Sequence, residues 1–237
     1  MGWSMKTILV FDLWGDLGHF KKPYTTTSPL SFAFPPRPTV AGIISAIIGL
    51  GKKEYLRFFL KKDAHIALRL MKPVKKTRIN HNLIDTDTPK SFSRIKQRTQ
   101  VRAEYVKDAH YRIYFWHNDN HLFQRLRNLL QNHESVYTLS LGLSGLLANF
   151  SYLGEFEIRN ATSKSDVLID SIIPEEGATV TFEPGKEYFS ANIPVEMETD
   201  RIVTEYGTVI YERNGRPILA RTGSHFEVAN GERILFI

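Results

Sequence analysis

The sequence predicts a mixed α+β fold, with a helix-and-strand domain at residues 1–155 and a smaller β-rich subdomain at 156–237. Three observations predict it: a strand-like run near the start, two stretches with helical apolar spacing, and a change to all-β patterns near residue 155. Hydrophobic residues make up 42% of the 237 residues and charged residues 24%, which provides enough apolar material for a sizeable core.

The first domain begins with a predicted strand and a helix. Residues 6–13 are rich in β-branched and aromatic side chains and predict a central strand. The following loop, at 14–38, is long for an ordinary connection, which favours a functional role. Pro38 suits the first turn of a helix that ends by Gly49. Its apolar stripe consists of Val40, Ile43, Ile44, Ile47 and Ile48.

A basic arm at about 73–107 interrupts the rest of this domain and predicts a projecting β-hairpin thumb. Disorder is the alternative, but Ile79, Leu83 and Tyr105 argue against it because they supply apolar surface. The order of strand, helix, strand, arm, strand, helix and strand is the split βαβ plan of ferredoxin-like and RNA-recognition folds. The remaining predicted elements are a short basic helix at 52–62, strands at 65–72, 110–116 and 136–141, and a helix capped by Asp119 or Asn120.

The β-rich subdomain carries one strong turn signal. Asn214-Gly215 lies between two strand-like runs at 209–211 and 218–219. This dipeptide favours a two-residue hairpin turn. The sequence therefore predicts that the two runs pair with each other.

Charge is distributed unevenly along the chain. Residues 1–150 contain 23 Lys and Arg against 10 Asp and Glu, whereas residues 151–237 contain 8 against 15. The densest segment, 52–112, has 17 basic and 6 acidic residues. A solvated basic surface is the common explanation of scattered charge. The arginines and the interleaved aromatic and amide residues favour nucleic acid, with acidic proteins as the next alternative.

Composition excludes several classes of protein. The absence of cysteine excludes disulfides and thiolate metal sites and is compatible with a reducing compartment. The first residues do not form a signal peptide, and the apolar run at 40–50 is too short to span a bilayer. We expect a cytoplasmic protein without membrane contact, metal or cofactor.

Two segments are candidate RNA-binding sites. In the loop and helix at 18–51, cations would neutralise phosphate, Tyr24 would stack on a base, and the helix start would offer N–H groups; a proline-rich turn is the alternative. In the arm, arginine would bind phosphate, and amide or aromatic groups would contact unpaired bases. The candidates are His19, Lys21, Lys22, Tyr24 and Arg37 in the loop, and Arg94, Lys96, Arg98, Gln100, Arg102 and Arg112 in and after the arm.

Two further patterns have weaker support. His110, His117 and His121 suggest a metal cluster, but surface histidines are the better interpretation because no cysteine is present and the last two flank a turn. The glycine-bearing run at 142–147 predicts a packed turn, with backbone contact to RNA at Ser144 as the alternative.

A metal-free RNA cleavage site is the catalytic alternative. Such a site needs a base, a cation for the phosphate and an acid for the leaving group. Tyr24, Lys107 and His110 are residue types that would supply these functions. Separate binding roles for the three residues are favoured.

Several motifs resemble the fifth CRISPR-associated protein family of type I systems, most closely its I-B branch. They are residues 11–20 (FDLWGDLGHF), 24–29 (YTTTSP), 34–44 (FPPRPTVAGII), 106–114 (VKDAHYRIY) and 141–145 (LGLSG). The resemblance covers residues 5 to about 155 and is weak beyond them.

The resemblance implies a ferredoxin-like core with a thumb, in the superfamily of repeat-associated RNA-binding proteins. It implies a subunit that caps the 5′ handle of the crRNA in the Cascade surveillance complex and contacts its large subunit and first backbone subunit. The thumb would lie against target DNA at the start of the guide duplex. By matching position, Lys21, Lys22, Tyr24 and Arg37 would lie by the handle, and 94–102 would belong to the thumb.

Three hypotheses follow. The favoured one is a non-catalytic subunit that binds the crRNA handle. The second, a metal-independent endoribonuclease, corresponds to a branch of the family in which tyrosine, lysine and histidine cut the precursor RNA. The third is a protein-interaction scaffold whose basic surface is incidental.

Overall fold

The computed structural model describes residues 6–25, 28–84 and 98–237. Strands dominate these residues, and the two helices lie within the first 131 residues. The helices are α1 (Arg37–Ile48) and α2 (Asn120–Gln131), and a 3-10 turn covers Tyr55–Phe58. The strands are β1 (Thr7–Gly18), β2 (Ala64–Leu70), β3 (Lys75–Ile84), β4 (Arg98–His117), β5 (Asn149–Ala161), β6 (Val167–Ile169), β7 (Ile173–Pro174), β8 (Ala178–Val180), β9 (Tyr188–Met197), β10 (Val203–Glu212), β11 (Ile218–Thr222), β12 (His225–Val228) and β13 (Arg233–Ile234).

The main sheet is antiparallel and has β1 near its centre. Its strand order is β13-β12-β5-β1-β4-β2, and β3 pairs with the part of β4 that extends beyond β1. In register, Leu9 of β1 lies opposite Phe115 of β4 on one side and Glu155 of β5 on the other. Long strands at sequence positions far apart therefore form one continuous surface.

Both faces of β1 are buried. Leu9, Phe11 and Leu13 join the main core with α1 and α2, whereas Ile8 and Val10 pack into a smaller cluster on the other face. This explains the unbroken apolar run at the start of the strand. Full burial of each such side chain contributes about 1.5–3 kcal/mol relative to exposure.

Local sequence accounts for both helix ends. The carboxylate of Asp119 accepts hydrogen bonds from the backbone N–H groups of His121 and Leu122, at 2.8 and 3.3 Å, and so caps α2. Gly49 ends α1 with a φ of 80°, a left-handed conformation that suits glycine. The structure confirms two of the three predicted helices, α1 and α2.

The C-terminal part covers the edge of the main sheet. It contains two small antiparallel sheets, ordered β7-β10-β9 and β6-β11-β8. The N–H groups of Ile172 and Ile237 donate to the carbonyls of Leu68 and Ile66 on β2, at 2.8 and 2.9 Å. These bonds satisfy backbone groups that an edge strand would otherwise expose.

The structure confirms the mixed α+β class and corrects several predicted elements. Residues 136–141 form no strand; the strand after α2 is β5, which runs through the predicted domain boundary at residue 155. The basic segment at 52–62 contains only the 3-10 turn. The division at residue 155 and the ferredoxin-like interpretation stay predictions.

The predicted hairpin at Asn214-Gly215 is wrong. The turn exists, because Gly215 has a φ of 74° and the Glu212 carboxylate accepts hydrogen bonds from the N–H groups of Asn214 and Arg216. However, β10 pairs with β9 and β7, whereas β11 pairs with β6 and β8. The chain passes from one small sheet to the other at this turn.

No helix in the described part of the chain is long and apolar enough to cross a membrane.

Candidate nucleic-acid interface

The β3–β4 arm, formed by β3 and the outer half of β4, presents one strongly polar face. Register places Asn80 opposite Arg102 and Asn82 opposite Gln100. Alternate residues of a strand point to the same side, so these groups share one surface. We call this surface the polar arm face; its six exposed members are Arg78, Asn80, Asn82, Arg98, Gln100 and Arg102.

The opposite face of the arm is more buried and holds the two strands together. Ile79 and Val101 are half-buried, and Ala103 and Tyr105 are buried. The hydroxyl of Tyr105 lies 2.6 Å from Nε2 of His81. Because one face is packed, the register of the arm is fixed and the polar side chains stay on the other face.

The cations at the outer end of the polar arm face are available to a ligand. Among the described residues, no carboxylate lies within 4.0 Å of Arg98 or Arg102. Arg78 is 3.9 Å from Glu104, which also binds Lys76 at 2.8 Å. Within the described part of the arm, positive charge is therefore less compensated at Arg98 and Arg102 than at Arg78.

The long loop after β1 packs against the inner end of the arm, at Lys76 of β3 and Glu104 of β4. We call this end the foot of the arm. Nδ1 of His19 lies 2.7 Å from the carbonyl of Glu104, and the ammonium of Lys76 donates to the carbonyl of Ser31 at 2.7 Å. The N–H of Ser31 donates to the Glu104 carboxylate at 3.3 Å. Burial opposes the charged form of Glu104, but hydrogen bonds from Lys76 and Ser31 outweigh it and lower its pKa.

Three of the predicted loop residues lie at the surface beside this foot. Lys21 is exposed, and Tyr24 has 70% of its surface accessible. The ammonium of Lys22 lies over the rings of Tyr24 and Phe32, 5.8 and 5.5 Å from their centres. The loop thus adds charge and an open aromatic ring next to the arm, whereas His19 itself is buried.

The glycine-bearing turn supports the same loop from the other side. The N–H of His19 donates to the carbonyl of Leu141 at 2.9 Å. Gly142 has a φ of 97°, and a Cβ there would lie 1.9 Å from the carbonyl oxygen of His19. Only glycine permits this approach. Ser144 is exposed at the tip of the turn.

Arg37 lies inside the protein rather than on a binding surface. Its guanidinium donates to the backbone carbonyls of Phe59, Val195 and Ala64, at 2.8, 3.3 and 2.7 Å. Only 2% of the residue is exposed. Burial lowers its pKa to about 10, so it stays charged at neutral pH. This placement makes Arg37 a structural residue, and we leave it out of the candidate interface.

Arg112 is also held by protein groups. Its Nε donates to Asp12 at 2.8 Å and its Nη1 to Glu232 at 2.9 Å, and Glu232 also pairs with Arg69. The hydrogen bond to Asp12 raises the pKa of Arg112 above its ordinary value. Its charge is therefore compensated within the fold.

The structure records no hydrogen bond or ring contact between any two of Tyr24, Lys107 and His110. Nε2 of His110 lies 3.5 Å from Asp12, and its ring packs against Trp14. Lys107 is exposed on β4, opposite Lys75. An assembled catalytic triad is thus not formed by direct contact in the described part of the chain.

Two predicted residues, Arg94 and Lys96, lie outside the described residues. Conversely, sequence reasoning missed Arg78, Asn80 and Asn82. The signal was present, because residues 78–82 alternate between polar and apolar or aromatic side chains, as a strand with one packed face does.

No group of three or more His, Asp or Glu side chains within the described ranges is placed to hold a metal ion. His117, one of the three histidines considered for such a site, is buried and lies 2.6 Å from the carbonyl of Phe58. Burial lowers its pKa.

The fold of the chain is similar to the folds of chains in solved CRISPR structures. It is similar to the crystal structure of a CRISPR protein from Archaeoglobus fulgidus, with a TM-score of 0.57, 14% identity and coverage of 96% of this chain and 97% of that one. It is also similar to a chain of a CRISPR RNA-guided surveillance complex, with a TM-score of 0.51, 13% identity and coverage of 95% and 92%. No curated protein matches it in sequence.

A family model identifies the chain more narrowly. The model described as CRISPR-associated protein (Cas_Cas5) matches residues 8–212. The chain belongs to this family.

Proposed function

We propose that the chain is a non-catalytic subunit of a type I, I-B-like CRISPR Cascade surveillance complex that binds and caps the 5′ handle of the crRNA. The polar arm face carries the proposal, because three exposed arginines and three exposed amides share one side of a two-stranded arm. Arginine would neutralise phosphates, and amides would hydrogen-bond to the edges of unpaired bases.

The foot of the arm completes the proposed RNA surface. His19, Ser31 and Lys76 fix the loop against β3 and β4, and this contact positions Lys21, Lys22 and Tyr24 beside the arm. Ser144 lies on the turn that supports the loop. Membership of the CRISPR-associated family and the likeness to a surveillance-complex chain support an RNA-guided role.

The proposal also includes the type of core fold and the partners of the chain in the complex. The pairing order β5-β1-β4-β2, with two helices on one face, supports a ferredoxin-like core whose thumb is the β3–β4 arm. A backbone subunit and the large subunit would be its protein partners, and target DNA would meet the arm at the start of the guide duplex. Exposed Tyr137, Leu143 and Leu147 offer apolar surface for such protein contacts.

Salt dependence of RNA binding tests the proposal. Each phosphate contact to a single strand contributes about 0.7 to the slope of log K against log salt. We expect the double variant Arg98→Ala, Arg102→Ala to bind the cognate handle RNA more weakly and to lower this slope by about 1.4.

The matched control removes the same charge from the far end of the sheet. Lys6 and Lys164 are exposed, and the register of β1 with β5 places them at the end opposite the arm. The double variant Lys6→Ala, Lys164→Ala should leave the slope unchanged. Equal slopes for the wild type and the arm variant would remove the arm from the RNA surface. An absence of handle-specific binding at physiological salt would favour the scaffold hypothesis.

The endoribonuclease is the second candidate, and the 3.5 Å approach of Nε2 of His110 to the Asp12 carboxylate favours it. A carboxylate beside a histidine orients the imidazole ring. The test is incubation of the purified chain with repeat RNA in the presence of a chelator. Intact RNA is expected; site-specific cleavage that His110→Ala abolishes would establish the enzyme instead.

A further inference from the structure

A cleft of about 940 Å³ lies where the foot of the arm meets the C-terminal β9–β10 pair. The docked loop contributes Lys22, Tyr24 and Phe32, and β3 contributes Lys76. The C-terminal side contributes aromatic and polar groups from β9 and β10 and the following turn: Phe189, Ser190, Asn192, Tyr206, Tyr211 and Arg213. Its volume falls within the range of small-ligand pockets.

We propose that this cleft holds one unstacked nucleobase of the bound RNA. The inference rests on the proposed function and adds a C-terminal contribution to the RNA site. An unpaired base needs a flat apolar surface, polar groups at its edge and a cation near its phosphate. The cleft supplies all three from separate parts of the chain.

The aromatic groups are open to a ligand. Tyr24, Tyr206 and Phe189 have 70%, 47% and 45% of their surfaces exposed, although all three line the cleft. Phe189 is held in place by Tyr211, with parallel rings 5.7 Å apart, and Phe34 packs edge-on against Tyr211 at 5.3 Å. The rings therefore offer a supported but uncovered stacking surface.

Charge around the cleft favours a nucleotide over an apolar protein side chain. Among the described residues, no carboxylate lies within 4.0 Å of the Lys22 ammonium, which is held over two rings instead. Arg213 pairs with the half-exposed Glu187, at 2.9 Å. Exposed Asn192 and Ser190 of β9 line the same cleft and would hydrogen-bond to the edge of a base.

The cleft is continuous with the polar arm face. Val74 and Lys76 line it, and the next alternate residues along the chain are Arg78, Asn80 and Asn82. These positions share one side of β3, and the span from Lys76 to Asn82 is about 20 Å. An RNA strand that follows the polar arm face towards the body of the protein would enter the cleft.

The experiment uses the full chain and cognate handle RNAs that each lack one base. In the wild type, we expect one abasic position to weaken binding by between about 5-fold and 150-fold, and other positions to have less effect. Tyr206→Ala should weaken binding of intact RNA and abolish the sensitivity at that position. Tyr206→Phe, which keeps the ring, should restore both. Phe182→Ala removes an exposed aromatic residue outside the cleft and should change neither.

The arm variant separates this inference from the proposed function. The double variant Arg98→Ala, Arg102→Ala should lower affinity for every RNA, but the same abasic position should still weaken binding most. If binding depends on the arm but no abasic position weakens it, the proposal that the cleft holds a nucleobase is wrong and the handle-binding function stands. Weakened assembly with partner subunits in Tyr206→Ala, with RNA binding intact, would assign the cleft to a protein side chain. Loss of handle-specific binding in the wild type would overturn both proposals.

Discussion

The outer and inner halves of β4 use arginine in opposite ways. In the outer half, Arg98 and Arg102 are exposed and have no carboxylate within 4.0 Å among the described residues. In the inner half, Arg112 bridges Asp12 and Glu232. Arginine on the same strand is thus exposed and accessible to a ligand in the outer half, whereas in the inner half it stabilises the fold through ion pairs.

This difference limits what net charge reveals about binding. The segment 52–112 has a large excess of basic residues, yet several of its cations are already paired with carboxylates from distant parts of the sequence. Arg37 extends the contrast, because its buried guanidinium is enclosed by backbone carbonyls. Five substitutions, at Arg37, Arg112, Glu104, Asn80 and Asn82, test whether structural and binding roles can be separated.

The largest expected effect is on stability, in Arg37→Ala. The change leaves the carbonyls of Phe59 and Ala64 without their donor and creates a cavity beside them. We expect a loss of about 3–5 kcal/mol in the free energy of unfolding, measured by chemical denaturation. Arg57→Ala is the control: Arg57 is exposed and pairs with Glu54 at 3.3 Å, and its loss should cost no more than about 0.5 kcal/mol. Similar costs for both variants would contradict the structural role of Arg37.

The second largest expected effect is a loss of stability in Arg112→Ala. Its removal leaves Asp12 and Glu232 with fewer partners in a partly buried network. We expect a loss of about 2–3 kcal/mol, below the range for a fully buried pair because 16% of the Arg112 side chain is exposed. RNA titrations over a range of salt should give the wild-type slope for the folded variant. A slope lower by about 0.7 would show that Arg112 contacts phosphate and would remove the contrast between the two halves.

A smaller effect is expected at Glu104, which joins the arm to the loop. Its folded-state pKa is lowered, so its stabilising contribution is present above the ordinary glutamate value of 4.5 and is lost as pH falls through the lower folded value. Glu104→Gln should cost about 1–2 kcal/mol at pH 7, because the hydrogen bonds from Lys76 and Ser31 weaken. Denaturation curves at several pH values check this.

The pH series also provides the control for Glu104. The stability difference between wild type and Glu104→Gln should shrink as pH falls below 4.5, since the wild-type carboxyl then becomes neutral as well. A constant difference down to the lowest pH at which both proteins fold would show that the charge of Glu104 contributes nothing.

Local chemistry made both helices and the first strand predictable. The apolar stripe of α1, the left-handed Gly49 and the Asp119 cap are all signals within one or two turns of chain. The strand after α2 was misplaced because residues 136–141 are apolar enough for a strand, although Val136 and Tyr137 instead donate backbone hydrogen bonds to carbonyls of α1. Tertiary contacts outweighed β-propensity there.

The candidate RNA-binding site was also predictable only in part, because tertiary contacts decide which of its cations reach the surface. The loop residues Lys21, Lys22 and Tyr24 and the outer arm arginines follow from local composition. The burial of Arg37 depends on Val195, which lies far along the sequence, and the pairing of Arg112 depends on Glu232. The cleft also escaped prediction, because its C-terminal wall comes from strands whose sequence is acidic overall and carries no RNA-binding motif.

The smallest expected effect concerns the amides between the arm arginines. Asn80 and Asn82 lie opposite Arg102 and Gln100 on the polar arm face and would hydrogen-bond to unpaired bases. Each change to alanine should weaken handle binding by about 2-fold to 10-fold, the equivalent of one neutral hydrogen bond. Because no charge is removed, the salt slope should stay at its wild-type value, in contrast to the arginine variants.

Sequence preference distinguishes this role of the amides from a loss of arm structure. Asn80→Ala and Asn82→Ala should discriminate less between the cognate handle and a scrambled RNA of the same length, since both RNAs keep their phosphate contacts. Asn128→Ala, which removes an exposed amide from α2, should discriminate as the wild type does. If the arm variants lose affinity for both RNAs in equal proportion, the amides support the arm instead of contacting bases, and arginine alone defines the polar arm face.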